Sequence, residues 1–336
     1  MENLFICYTY HHILVATTKV LNDNLEADIL VCNAFNSITD NIVDRLKKSM
    51  IFHSVYFWDE DKVPNVPKKK IFHYIYYRYF ALERYFVNNL FLDFNKFNEI
   101  YIFFDANPLL NYLNIKKVQY HLIEDAVDSF KTAVITSPHF YKQIMCENFV
   151  MLKYMYKFGI FIHIFGNSKN CKDIEVNSKS GILMSRYNKN KFIERPKEKM
   201  FASLTAKNIE RIIELFVNGV SIPSDACLVL LLTQPLYKDK YVVSYDIQEK
   251  VYGDIINEYM KEFTVIIKPH PRDQLDYSIF DGKNIRILPK SFPCEVLGLL
   301  RQNLFKFYIT INSTSVFMFP KEKVIFLGPD YLNKYL

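Results

Sequence analysis

Glycine is scarce in this chain, with 8 residues in 336. Neither GxGxxG nor GxxxxGK followed by Ser or Thr occurs, so a glycine-rich phosphate cradle is not evident. Trp58 is the single tryptophan, which leaves no stacking platform for nucleic-acid bases. The six cysteines, Cys7, Cys32, Cys146, Cys171, Cys227 and Cys294, are scattered. No CxxC and no His/Cys pairing at zinc spacing is present. They read as small buried hydrophobes in a reducing compartment. Long hydrophobic runs are also missing. The longest, 149–165, is broken by Lys153, Lys157 and His163, too short and too polar to span a bilayer. No signal peptide is visible, because a strand pattern starts at once. The expectation is a cytoplasmic protein, with loose attachment to the inner face of the cell membrane left open.

Half the residues are hydrophobic and 16% are aromatic, with 24 Tyr and 29 Phe. That composition belongs to a globular chain, and the length favours two domains. The formal charge of +6 is mild. Lysines cluster at Lys68-Lys69-Lys70 and loosely from Lys189 to Lys199, and neither run resembles a nucleic-acid module. An anionic membrane face or an anionic small molecule suits such a surface better.

Apolar runs alternate with helical patterns. Strands are expected at Asn3–Tyr8, Ala27–Asn33, Ser54–Trp58, Glu99–Phe104 and Val118–Ile123, with helical spacing over Ile13–Leu21 and Ile71–Leu92. Between about Asn167 and Lys207 the apolar periodicity weakens and charges rise, which reads as an interdomain region. Beyond it, helices are expected at Ala206–Val217, Ile247–Glu262 and Cys294–Asn303. Strands are expected at Ala226–Leu232, Phe263–Ile267, Ile285–Leu288, Phe307–Ile311 and Lys323–Phe326. The pattern predicts βαβ units and parallel sheets, divided into residues 1–186 and 187–336.

Ligands of open α/β sheets bind outside the carboxyl ends of the strands, and four groups fall there. In Val265-Ile266-Ile267-Lys268-Pro269-His270-Pro271-Arg272-Asp273 a β-branched run stops at a stiff Pro-His-Pro step. His270 is thereby held between Lys268 and Arg272, a setting that favours a phosphate over a metal; a plain surface turn is the alternative. Glu124-Asp125 follows the strand Tyr120-His121-Leu122-Ile123. One of these carboxylates could accept a sugar hydroxyl proton, or could cap the next helix beside Asp128. Ser313-Thr314-Ser315 offers hydroxyls and amides to a phosphate, or again a helix cap. In Ser291-Phe292-Pro293-Cys294-Glu295, Glu295 could bind ribose hydroxyls or serve the helix dipole. Asp59-Glu60-Asp61 contains a D-x-D pattern but reads as a surface loop, so no metal is expected. His11-His12, after Thr9, could reach a cleft from the first strand turn or simply pack.

An acidic pair, then His-Pro, Pro-x-Glu and Ser-Thr-Ser in that order, resembles the bacterial sialyltransferases. With Phe5-Ile6-Cys7-Tyr8-Thr9, the order and spacing are most similar to glycosyltransferase family 52, the lipooligosaccharide and capsular type, from about Phe5 to Phe319. The resemblance implies a GT-B fold, two Rossmann-like domains facing across a cleft, with no catalytic metal and no cofactor. It implies a CMP-sialic acid donor on the C-terminal domain, a glycan acceptor on the N-terminal one, and inversion at the anomeric carbon. By motif, Asp125 is the acidic residue with Glu124 beside it, and His270 meets the departing phosphate. Thr314 and Ser315 hold that phosphate, with Ser313, Lys268, Pro269, Arg272, Thr233 and Gln234 around the donor, and Glu295 takes the ribose. Thr9, His11 and His12 are the acceptor-side candidates.

Two departures stand out. Ala126 replaces the motif glycine, which removes its backbone freedom. Leu236 occupies the place of a base proposed in some members, after Thr233-Gln234-Pro235, with Asp239 the nearest carboxylate downstream. Asp125 is therefore the favoured base. A CDP-polyol phosphotransferase, transfer of another sugar from a nucleotide donor, and a catalytically silent binding subunit of a glycan-assembly complex remain alternatives. No nucleic-acid partner is expected, and a homodimer is left open.

Overall fold

A computed structural model describes residues 2–33, 38, 40–63, 80–90, 92–105, 107–125, 130, 166, 168–182, 189–217, 223, 227–290, 292–300, 304–313, 315–316 and 319–335. The chain divides into two compact units, Met1–Leu204 and Thr205–Leu336. The expected run 149–165, Cys146, Ala126, Asp128, Ser291 and Thr314 lie outside the described residues, as does most of the expected helix 71–92.

The first unit is built on strands β1 (Asn3–Cys7), β2 (Ala27–Asn33), β3 (Val55–Asp59), β4 (Glu99–Ile102), β5 (Tyr120–Ile123), β6 (Cys171–Val176) and β7 (Phe192–Glu194). They form one sheet in the order β3-β2-β1-β4-β5-β6-β7, parallel at every pairing. Four helices of this unit are described: α1 (Tyr10–Asp23), α2 (Asp40–Ser49), α3 (Leu82–Asn89) and α4 (Pro108–Ile115). A fifth, α5 (Lys197–Ala202), closes the unit and packs on α1. β2 is buried at every position, as a strand covered on both faces must be. Thr9 starts α1 by accepting the His12 N–H, and Asn107 starts α4 in the same way from Leu110, with Pro108 preset for the first turn.

The second unit holds β8 (Leu228–Leu232), β9 (Thr264–Lys268), β10 (Ile285–Ile287), β11 (Phe305–Thr310) and β12 (Val324–Phe326). Their order is β10-β9-β8-β11-β12, again all parallel. Helices α6 (Ala206–Val217), α7 (Tyr245–Tyr259) and α8 (Glu295–Leu300) accompany it. Both sheets wind outward in two directions from their first strand. The reversal falls between β1 and β4 in one sheet and between β8 and β11 in the other. Ligands of doubly wound sheets bind at the carboxyl side of that reversal.

The described part of the stretch expected as an interdomain region is structured. It supplies β6, β7 and α5 to the first unit, so the division falls after Leu204 and not after residue 186. Its charges hid the strand. Lys172 of β6 pairs with Glu99, Asp173 with His121, and Glu175 with Lys19. A polar strand survives inside a sheet when each charge has such a partner.

His121 is clamped from both sides on this sheet. Its Nδ1 lies 2.8 Å from Asp173 and its Nε2 2.5 Å from Glu99. Carboxylates only accept, so both ring nitrogens donate and the ring is an imidazolium. Burial opposes that charge, but the two carboxylates outweigh it and raise the histidine above its ordinary value of 6.5. A raised histidine stabilises the fold fully below its unfolded value and stops doing so as pH climbs through the folded one. Replacement His121→Gln should therefore destabilise the protein more at about pH 6 than at about pH 9. Urea unfolding of both proteins at the two pH values checks this; an equal loss at both would mean that the ring is neutral.

Candidate functional site

At the carboxyl edge of the first sheet, the chain leaves β1 through Tyr8 and Thr9 into α1 and leaves β5 through Glu124 and Asp125. His12, in the first turn of α1, is 1% exposed. Its ring stacks on Phe103, just past β4, with centroids 4.4 Å apart and planes within 7°. The Tyr8 N–H donates to its Nδ1 at 3.0 Å. The ring hydrogen therefore sits on Nε2 and is donated to Asp125 Oδ1 at 2.8 Å. Asp125 is 49% exposed at its side chain, so a carboxylate faces solvent while a buried ring holds it from behind. Burial raises the Asp125 carboxyl. The hydrogen bond from His12, aided by electrostatic attraction to His12, His11 and Lys197, brings it down to about 2. His12 itself is lowered, chiefly by burial.

The neighbouring Glu124 is built differently. It is 3% exposed, and its Oε2 accepts both the backbone and the side-chain N–H of Asn177, at 2.8 and 3.0 Å. Lys197 Nζ donates to the carbonyls of Glu124 and Asp125, the latter at 2.9 Å, and lies 3.4 Å from His11 Nε2. Glu124 and Lys197 also form part of the wall of a 440 Å³ cavity with Lys19, Asn22 and Arg195. Of the acidic pair, Glu124 fastens the strand end and Asp125 presents a reactive group. Thr9 is occupied as the cap of α1.

In the second unit, Thr233 follows β8 and His270 follows β9. The His270 N–H donates to Thr233 Oγ1 at 3.2 Å, and His270 Nδ1 accepts the Arg272 N–H at 3.1 Å. Its Nε2 is left as the donor. Burial, then Arg272 and Lys268, push this ring down to about 4, so it is a neutral donor near neutral pH. The turn is anchored by Asp273, 3% exposed. Its carboxylate accepts Gln248 Nε2 from α7 at 2.9 and 3.0 Å, the Leu275 N–H at 3.1 Å and the Tyr277 hydroxyl at 2.7 Å. Sequence reasoning passed over Asp273 and Gln248. The carboxylate closing the His-Pro nonamer was visible, but its partner lay on another element.

The flanking cations are not free. Lys268 is 5% exposed, and its amine donates to the carbonyls of Pro269 and Lys290 at 2.5 and 3.0 Å. Burial lowers it to about 8. Arg272 makes a bidentate pair with Asp239, both contacts 3.1 Å. The Gln234 N–H donates to the Tyr252 hydroxyl. Near the same edge, Thr310 Oγ1 ties β11 to β8 through the Leu232 carbonyl and accepts the Ser313 N–H. Ser315 hydrogen-bonds the Cys294 thiol, which burial holds well above its usual range, with Glu295 adjacent. Thr233, Lys268, His270, Ser313 and Ser315 thus lie at or just past strand ends of the second unit, where the His270 Nε2–H and hydroxyls are donors of the kind that can meet an anion, with the Glu295 carboxylate an acceptor near Cys294. Among the described residues no group of three or more His, Cys, Asp or Glu could hold a metal ion. Asp59 pairs with Lys62, and the five described cysteines are free thiols.

Comparison with known proteins gives the family and the fold. The model of glycosyltransferase family 52 matches residues 29–328. A protein of Haemophilus influenzae with no described function is 29% identical over 229 residues, 67% of each chain. An α/β-galactoside α-2,3-sialyltransferase of Photobacterium phosphoreum shares the fold at TM-score 0.50 and 12% identity, over 96% of this chain and 88% of that one. The wall teichoic acid polymerase TagF, soaked with CDPG, does so at TM-score 0.52 and 12% identity, over 95% and 67%. The two parallel units are those of an α/β fold of GT-B type. The chain belongs to glycosyltransferase family 52.

The low value at His270 is open to test. In the free protein its imidazole should titrate near 4, and a phosphate-bearing ligand bound beside it should raise that midpoint by about a unit or more, since a nearby anion favours the charged ring. Histidine ring signals in an NMR titration with and without a nucleoside monophosphate, identified with His270→Asn, check this. A midpoint that stays unmoved when the ligand binds would rule out an anion beside His270.

Proposed function

We propose that this family 52 glycosyltransferase moves sialic acid from CMP-sialic acid to a hydroxyl of a surface glycan, a capsule or lipooligosaccharide. Transfer proceeds with inversion and without a metal. The observation that carries the reading is Asp125, an ionised carboxylate half open to solvent at a strand's carboxyl end and backed by a buried histidine. In this reading Asp125 takes the acceptor proton. The hydroxyl oxygen bonds to the anomeric carbon, and the bond to the CMP phosphate breaks with its electron pair leaving on CMP.

The second unit receives the nucleotide. His270 Nε2–H, with Ser313 and Ser315, donates to the phosphate as its charge develops, and Glu295 accepts from the ribose. Side chains do here what a glycine-rich loop does elsewhere. Arg272 joins the phosphate by leaving Asp239, an exposed pair that costs little to open. The acidic pair, His-Pro, Pro-x-Glu and Ser-Thr-Ser order supports the sialyl donor. The fold likeness to TagF favours one second reading, transfer of a polyol phosphate from a CDP-polyol. Both reactions leave CMP, so the same corner would serve either; they differ in attack at carbon or at phosphorus.

Incubation with CMP-sialic acid, CDP-glycerol and UDP-sugars, each with a galactoside acceptor and excess EDTA, separates the readings. Glycan sialylation with CMP release is expected from the first donor alone, and product from CDP-glycerol alone would replace the reading by the second. Asp125→Asn should lower transfer by roughly 10²–10⁴-fold with CMP affinity little changed, the usual scale for a lost general base. Asp239→Asn and Glu124→Gln are the comparisons, because the first carboxylate is spent on Arg272 and the second on Asn177. An active Asp125→Asn beside an inactive Asp239→Asn would move the base to Asp239.

A further inference from the structure

Three restraints act on the His12 ring at once. It lies flat on Phe103, it is enclosed by the unit, and its Nδ1 is occupied by the Tyr8 N–H. One hydrogen remains, on Nε2, and it points at a single oxygen of Asp125. A carboxylate held through one oxygen by a fixed donor turns its other oxygen in a fixed direction. We infer that His12 is the positioning residue of the base: its buried ring, locked in one tautomer by the Tyr8 amide, aims the second oxygen of Asp125 at the acceptor hydroxyl. The inference rests on Asp125 acting as the base, as proposed above.

The ring cannot exchange roles with the carboxylate. Nδ1 accepts an amide hydrogen that does not leave, and Nε2 already carries its own, so His12 has no vacant lone pair for a proton. The acceptor proton goes to the second oxygen of Asp125 while His12 keeps its hydrogen. The charged or titratable groups facing Asp125 among the described residues are His12 and His11 from α1 and Lys197 from α5. Burial raises the carboxyl, and these three groups outweigh it and bring it down to about 2. Such a base is weak, which suits a reaction whose anomeric centre becomes strongly cationic. The attacking hydroxyl turns acidic only as its bond to carbon forms, and proton transfer comes late. The cost of a strong base, protonation in mildly acidic surroundings, is avoided.

His12→Phe retains the ring on Phe103 and removes both hydrogen bonds. It should lower kcat by roughly 10²-fold, the scale of an ångström-sized misplacement, with acceptor KM changed less. It should also bring an acid limb of kcat/KM into the range above about pH 4, because burial then acts on Asp125 without its main counterweight. His12→Gln, which can still donate to Asp125, should recover part of the rate and move the limb back. A wild-type rate and pH profile in His12→Phe, with Asp125→Asn inactive, would overturn this inference and leave the base assignment standing. An active Asp125→Asn would overturn the base assignment itself. The wild-type protein provides a test that needs no folded His12 variant. The Asp125 carboxyl carbon, followed by NMR with carbon-13 aspartate, should titrate well below the ordinary carboxylate range, and titration near about 4 would overturn the inference.

Discussion

A charge inside a sheet has to be answered. Glu175 on β6 is 8% exposed, and its carboxylate takes Lys19 of α1 at 2.8 and 3.0 Å and Arg195 at 3.3 Å. Removing one partner of a buried pair costs about 3–5 kcal/mol, because the other is left uncompensated. α1 is therefore held to β6 in one rotation about its axis. Lys19 and His12 are about two turns apart and share one stripe of that helix. The rotation that brings Lys19 to Glu175 also turns His12 toward the end of β5. Lys19 lies over the Tyr101 ring as well, 5.1 Å from its centroid, so the clamp is packed as well as charged.

The two strand edges use charge in opposite ways. In the first unit an acid is kept ionised by a fixed hydrogen bond from a neutral ring, with the Lys197 ammonium nearby. In the second, cations are present but already engaged, Lys268 with carbonyls and Arg272 with Asp239. The histidine between them is neutral. In the function proposed above, that positive charge is held in reserve, and an arriving anion would draw on it by displacing a carboxylate and raising an imidazole.

Much of the fold was legible in the sequence. The apolar runs that became β2, β8 and β9 could be read directly, because strands buried on both faces carry continuous hydrophobic segments. β6 could not, since its charges are matched by residues far away in the chain, Lys19 and Glu99 among them. The same limit applied at the site. Asp125 and His270 were visible from their places after strands, but the bond between His12 and Asp125 joins positions on separate βα units. Nothing at either position announces the other. Lys268 and Arg272 were read as cations for a ligand, and the structure adds that each already has a partner.

The turn that carries His270 takes its shape from below. Asp273 fastens it to Gln248 and Tyr277 through a carboxylate shielded from solvent, with no glycine in the turn and no strained backbone. Shape and chemistry are consequently encoded by different residues. Exposed positions such as Arg272 can be exchanged over evolutionary time at little folding cost, while the buried anchor has to be inherited as a unit. A lineage built this way can alter what it binds one surface residue at a time, and its sequence can drift far while the scaffold is preserved.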